Sequence, residues 1–158
     1  MLGRLSILLL PFLFTVAATA QPFTWCLLGV TFDDGGTATG CFTYNADTNT
    51  YSDINITTTD GSVFNGANYD TVNLNFKVAA TGFLVLTSSA PDQTNLPAIQ
   101  LVFPPLPDRG GTIELGAVEG TCEDALCDLM TPLRDALFSS GSVLGSTETL
   151  EEFLLFGG

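Results

Sequence analysis

Phe23-Thr-Trp-Cys-Leu-Leu-Gly-Val-Thr-Phe32, then Asp33-Asp-Gly-Gly36, then Thr37-Ala-Thr-Gly-Cys-Phe-Thr-Tyr44 is the stretch on which the fold reading turns. The first run is apolar and rich in aromatic and β-branched residues, which suit a pleated, half-buried surface. Asp-Gly and Gly-Gly steps reverse the chain cheaply because glycine reaches positive φ without a Cβ clash, so the second run returns as the partner strand of a hairpin. Opposed residues of an antiparallel pair share a face. One register sets Cys26 opposite Cys41, Leu28 opposite Thr39 and Val30 opposite Thr37 on one face, with Trp25 beside Phe42 and Leu27 beside Gly40 on the other. That register brings the two sulfurs within reach of a cross-strand disulfide; a two-residue slip keeps the faces but parts the sulfurs.

Outward from the hairpin the pattern stays β. Asn45–Thr50 reads as a turn and Tyr51–Thr58 as an alternating strand, with Ile54 and Ile56 on one face. Further strands are expected at Thr71–Val78, Phe83–Thr87, Ala98–Phe103 and Thr112–Val118, divided by turns and loops marked with Gly, Pro, Asn and Asp. Short strands at this spacing predict an all-β fold, an antiparallel β-sandwich of jelly-roll or Ig-like type with about seven to nine strands. Residues 21–147 would form the sandwich domain and residues 148–158 a C-terminal tail. One short helix is a further expectation near the end: Thr121-Cys-Glu-Asp124 has a hydroxyl cap with a carboxylate three residues on, and Leu126, Met130, Leu133 and Leu137 follow at helical spacing. Pro132 interrupts that pattern. The competing reading is a disulfide-closed loop followed by a final strand around Ala136–Leu144.

The amino terminus, MLGRLSILLLPFLFTVAATA, has Arg4 before an apolar run from Leu5 to Val16 and ends on Ala18-Thr-Ala20. This is the pattern of a cleavable signal peptide over residues 1–20, with cleavage before Gln21; the run is shorter than a membrane span and Pro11 interrupts it. Export through this signal makes the chain secreted or cell-envelope/periplasmic, without a stable membrane span after cleavage. The formal net charge is −13, and beyond the signal only Lys77, Arg109 and Arg134 are basic. Such a surface repels phosphate backbones and anionic headgroups, which argues against nucleic acid as a partner. Four cysteines, Cys26, Cys41, Cys122 and Cys127, suit two disulfides in an oxidising compartment. Three connectivities are open; pairing Cys26 with Cys41 and Cys122 with Cys127 keeps both bridges local.

Few constellations carry chemistry. There is no histidine, which removes Ser-His-Asp and Cys-His nucleophile systems and most zinc hydrolases. Lys77 reads as a solvated strand lysine between Phe76 and Val78. Asp33-Asp34 is a possible acid pair for hydrolysis, although adjacent turn residues usually point apart and Asp-Gly turns have their own conformational reason to exist. Asn45, Asp47 and Asn49, with Asp53 beyond, match part of the alternating oxygen spacing of calcium loops; the central glycine and the bidentate glutamate are missing, so turn chemistry is the preferred reading and no other metal or cofactor is expected. Asn55-Ile-Thr57 fits a glycosylation sequon. Tyr51, Phe64 and Tyr69 are candidates for stacking on sugars, against the commoner use of such rings in packing.

Gly29-Val-Thr-Phe-Asp-Asp-Gly-Gly-Thr-Ala-Thr-Gly40, the flanking Phe23-Thr-Trp25 and Phe42–Tyr51, Asn55–Thr58 and Ser139–Val143 together resemble a family of exported bacterial domains of unknown function, often found ahead of PEP-CTERM sorting tails. The likeness covers about a third of the chain beyond the signal closely. It implies an exported β-rich domain and supplies no catalytic residues. The family pattern has small polar residues where Cys26 and Cys41 stand, a double change that suits an added disulfide. The sorting tail itself, with its Pro-Glu-Pro motif, span and basic cluster, is absent from this sequence. The expectation is therefore an exported, non-enzymatic structural or interaction domain whose partner is an extracellular polysaccharide or an envelope protein. A carbohydrate- or calcium-binding module is the second reading and a carboxylate-dependent hydrolase the third.

Overall fold

The computed structural model describes residues 21–73, 83–107, 110–136 and 142–146, and among them the chain is all strand and turn. Two antiparallel sheets face each other. Sheet A contains β1 (Phe23–Leu28), β2 (Val30–Thr31), β3 (Thr37–Asn45), β4 (Thr50–Thr58), β5 (Asn68–Tyr69), β9 (Gly111–Glu114) and β12 (Ser142–Ser146), in the order β5-β4-β3-β1-β12-β9 with β2 also on β3. Sheet B runs β11-β10-β8-β7-β6, from β6 (Thr71–Val72), β7 (Phe83–Thr87), β8 (Pro97–Val102), β10 (Gly116–Cys122) and β11 (Met130–Ala136). The β-sandwich read from the sequence is the observed fold. Residues 1–20, where a signal peptide is expected, Lys77, Arg109 and the residues beyond Ser146 lie outside the described residues, as does most of the strand expected at Thr71–Val78.

The hairpin forms in the anticipated register at its open end, with Trp25 opposite Phe42 and Cys26 opposite Cys41. Nearer the turn it departs: Val30 faces Ala38, not Thr37. Three residues, Leu27 to Gly29, stand against two, Thr39 and Gly40, so this is a β-bulge, and Gly29 takes φ +65°. The extra residue reverses the side-chain alternation. Trp25 and Leu27 point inward before it, and Val30 and Phe32 point inward after it, all four buried.

Two runs cross from one sheet to the other. The expected strand Thr112–Val118 is in fact two, β9 in sheet A and β10 in sheet B, hinged at the fully buried Leu115. The second crossing is at Asp70, between β5 and β6; its N–H donates to Thr87 O at 3.2 Å. The described residues form twelve strands, more and shorter than the seven to nine expected, and these corners are part of the reason. The interior between the sheets is filled by Trp25, Phe42, Ile56 and Tyr69 from sheet A and by Leu84, Leu86, Ile99 and Leu101 from sheet B.

The short helix expected after Thr121 is not formed. Cys122 ends β10, a turn follows, and Met130 opens β11. Residues five apart in an α-helix are separated by about 7.5 Å of axial rise alone, beyond the usual Cα span of a disulfide, whereas Cys122 and Cys127 have Cα atoms 4.8 Å apart and are bonded. Cys127 has φ +54°. Asp124 Oδ1 accepts the Leu126 N–H at 2.9 Å, and Asn73 Nδ2 donates to the carbonyls of Leu126 and Cys127. The disulfide-closed loop of the alternative reading is the one that forms; the strand after it is β11, which ends at Ala136 where the expected strand Ala136–Leu144 was to begin, and residues 137–141 lie outside the described residues.

Cys26 and Cys41 form the second disulfide, with Cα atoms 4.1 Å apart. Two formed bridges belong to an oxidising compartment, extracellular or periplasmic. Both close short loops in the unfolded chain, of sequence separation 15 and 5. Loop-closure entropy then predicts that replacing both Cys26 and Cys41 by Ser lowers unfolding free energy by about 3 kcal/mol, and the Cys122/Cys127 pair by about 2 kcal/mol. Urea unfolding of the two double variants measures both values.

Candidate functional site: a buried charge centre between the sheets

Among the described residues, buried charge concentrates between the turn after β2 and the strands β10 and β11. Glu119 and Arg134 face each other across these neighbouring strands, where a bulge between Glu119 and Gly120 alters the pairing. Both side chains are inaccessible to solvent. Arg134 Nε donates to Glu119 Oε2 at 2.8 Å and its Nη2 lies 2.7 Å from the same oxygen. From sheet A, Tyr69 Oη and Thr58 Oγ1 both donate to Glu119 Oε1, the latter at 2.7 Å. Nη1 of Arg134 reaches the other way, to Asp34 Oδ2 at 3.2 Å and to the carbonyls of Thr59 at 3.1 Å and Phe64 at 3.3 Å. The guanidinium also lies 4.4 Å from the Phe32 ring centroid and 5.4 Å from that of Phe64, so both rings contribute cation–π attraction.

Asp34 is held in place before it meets the arginine. Its Oδ1 accepts the Gly36 N–H at 3.0 Å, and its Oδ2 accepts those of Phe64 at 3.2 Å and Val63 at 3.4 Å. Burial acts to raise its pKa, but the three backbone donors and the positive charge of Arg134 outweigh burial and hold the carboxyl below the ordinary aspartate value. Burial, then the charge and hydrogen bond of Glu119, push the Tyr69 phenol far above its ordinary range, so it remains a donor. A Cβ on Gly36 would stand 2.1 Å from Arg134 Nη1 and 2.9 Å from Thr59 O; only glycine lets the turn close over the cation.

The Asp33-Asp34 pair is thus split by its turn. Asp34 points in, while Asp33 is exposed and its Oδ1 accepts the Asp135 N–H at 3.2 Å, stitching the turn to β11. All four carboxylate oxygens of Asp34 and Glu119 are occupied by donors of the chain itself, so neither carboxylate has an oxygen open to a reactant.

The calcium-like residues serve their own turn. Asn45 Oδ1 accepts the N–H groups of Asp47 and Thr48 at 3.0 and 3.2 Å, Asn49 Oδ1 accepts the Tyr44 hydroxyl at 3.0 Å, and Asp53 Oδ2 accepts the Ser52 hydroxyl at 3.0 Å. Asn49 and Asp53 both have positive φ, where Asn and Asp are tolerated better than other side chains. Among the described residues no three His, Cys, Asp or Glu side chains gather as a metal site. Of the aromatic candidates, Tyr69 is buried in the centre above and Phe64 stacks on Arg134; Tyr51 packs against Tyr44 and Phe42, at 4.9 and 5.7 Å between centroids.

The sequence reading missed Glu119, Arg134, Tyr69 and Thr58 as a unit. One signal was present: in Leu115-Gly-Ala-Val-Glu119 the alternation that points Leu115 and Ala117 inward also points Glu119 inward, and a charge at a core position requires a partner. No family model, curated protein or solved structure matches this chain.

Three outcomes are expected. Arg134→Met strands two buried carboxylates and costs about 3–5 kcal/mol in urea unfolding. Gly36→Ala, which drives a methyl into the pinned guanidinium, lowers the melting temperature more than Gly35→Ala, whose neighbour positions are open and whose cost is its φ of +89° alone. Because the folded pKa of Asp34 is depressed, its stabilisation is complete above the ordinary value of 3.8 and is lost as pH falls through that value towards the folded one. Asp34→Asn should therefore show a shallower loss of urea midpoint between about pH 5 and about pH 2 than the parent chain.

Proposed function

We propose that the chain is an exported structural or interaction module whose buried charges hold two sheets together and whose function resides on its outer surface. One observation carries this reading: the clustered charges Asp34, Glu119 and Arg134, with the Tyr69 hydroxyl, hold one another and are closed to solvent. Residues 1–20 supply the route of export, as their basic, apolar and small-residue regions suggest. The disulfides and the surplus of acid suit a domain that must stay folded and soluble outside the cytoplasm. The likeness to exported bacterial domains of the sorting-tail type agrees with this reading.

Expression of the whole chain in a bacterial host, followed by fractionation and intact-mass measurement, tests it. The expected product is periplasmic or secreted, begins at Gln21 and contains no free thiol. A cytoplasmic product that retains residues 1–20 and four thiols overturns the export reading. Turnover of a glycan or peptide substrate by the purified protein, abolished by Asp33→Asn, overturns the non-enzymatic part.

A further inference from the structure

The outer face of sheet A carries little charge for so acidic a chain. Trp25, Phe42, Ile56 and Tyr69 point into the core, so the alternate residues Thr24, Thr43, Thr39, Asn55, Thr57 and Asn68 point out. They are arranged in rows across paired strands: Thr24 opposite Thr43, Asn55 opposite Cys41, and Thr39 opposite Thr57 opposite Asn68. None of the six is charged, although the chain has a net charge of −13. Acidic groups stand at the rim, with Asp53 at the β4 bulge and Glu114 on the edge strand β9. The Cys26–Cys41 bridge ties β1 to β3 in the middle of the face, and Leu28, 37 % exposed, adds an apolar contact beside it. The face runs into an open groove of about 380 Å³ lined by Thr57, Thr59, Asp60, Gly66 and Asn68. There Asp60 Oδ1 already accepts the Gly66 N–H at 2.8 Å.

We propose that this face and its groove form a docking surface for a neutral polysaccharide. The inference rests on the interaction-module reading above and names the partner class. Strand spacing and pleat set the outward hydroxyls and amides on a grid of about 4.8 by about 6.7 Å. Each hydroxyl donates once and accepts twice, so the pairs already present, Thr57 Oγ1 to Asn68 Oδ1 at 2.8 Å and Thr37 with Thr59 at 3.1 Å, leave further capacity for sugar hydroxyls. A repeating polymer engages several rows at once, and the second and later contacts are intramolecular. Charge selects the class. The field of the whole chain repels an anionic polymer, and a cationic one would be drawn to the acids elsewhere. A second copy would bring its own acidic rim against this one, which disfavours self-association.

Affinity electrophoresis of the exported protein through gels containing dextran, mannan, a neutral β-glucan or alginate tests the proposal. Retardation by at least one neutral polymer and none by alginate is expected. Thr39→Lys and Thr57→Lys should each weaken retardation by about tenfold or more, about 1.4 kcal/mol, while Thr94→Lys on an exposed loop leaves it unchanged and all three keep the parental melting temperature to within a few degrees. If either face variant melts early, Thr39→Gln and Thr57→Gln replace them, with the same loss expected. No retardation by any neutral polymer overturns the proposal, as does retardation that both face substitutions leave intact. A dimer in light scattering that Thr57→Lys dissociates also overturns it, because the face is then a self-association surface. Each of these failures leaves the export result standing, whereas failure of export is read from fractionation and mass alone.

Discussion

A single guanidinium between two carboxylates holds the relation of the two sheets. Arg134 enters from an edge strand of sheet B and is gripped on one side by Glu119 of its neighbour strand and on the other by Asp34 from the turn after β2. Sheet A adds the hydroxyls of Thr58 and Tyr69 and the carbonyl of Thr59. Apolar contacts between two sheets have little directional content, and many sliding arrangements bury similar area. Hydrogen bonds to a buried fork do not tolerate sliding. The ion cluster therefore sets which residues of the two sheets meet.

That precision has an energetic counterpart. Removing three charges from water costs several kcal/mol each, and Coulomb attraction offsets this only when geometry is good and every remaining lone pair is met. Here the backbone supplies much of the compensation. Three N–H groups from the Asp34–Gly36 turn and the Val63–Phe64 loop point at one carboxylate, and two aromatic rings cover the cation. The loops around the centre are thus ordered by it, which explains why Gly36, with no side chain to intrude, stands where the chain passes over Nη1.

The fold class was legible because alternation and turn chemistry agree along most of the chain. The hairpin register was legible at Cys26–Cys41, where two cysteines and two aromatics match at once. The bulge at Gly29 was present in the sequence as a change of parity, from Trp25 and Leu27 to Val30 and Phe32, but a continuous apolar run conceals such a change. The split of Thr112–Val118 between sheets was not legible: both halves look like one strand, and only the opposite sheet decides where each pairs. The helical spacing that begins at Leu126 misled because Leu126 and Leu133 face solvent, and exposed leucines can reproduce the period of an amphipathic helix. A bridge between Cys122 and Cys127 is incompatible with that helix, so the two expectations were already in conflict. The charge centre was least legible, since Asp34 and Arg134 lie 100 residues apart.

Sheet A also imposes an order on folding. β1 is flanked by β3 on one side and by β12 on the other, with Thr24 opposite Thr43 and opposite Ser146. The first neighbour is local and is covalently secured; the second comes from more than a hundred positions further along. Until that distant segment docks, the inner strand of the finished sheet is an open edge with unpaired amides beside Trp25 and Leu27, the kind of surface on which chains join one another. Truncation before β12 would leave the hairpin and its bridge intact and turn the protein's central strand into its most adhesive one.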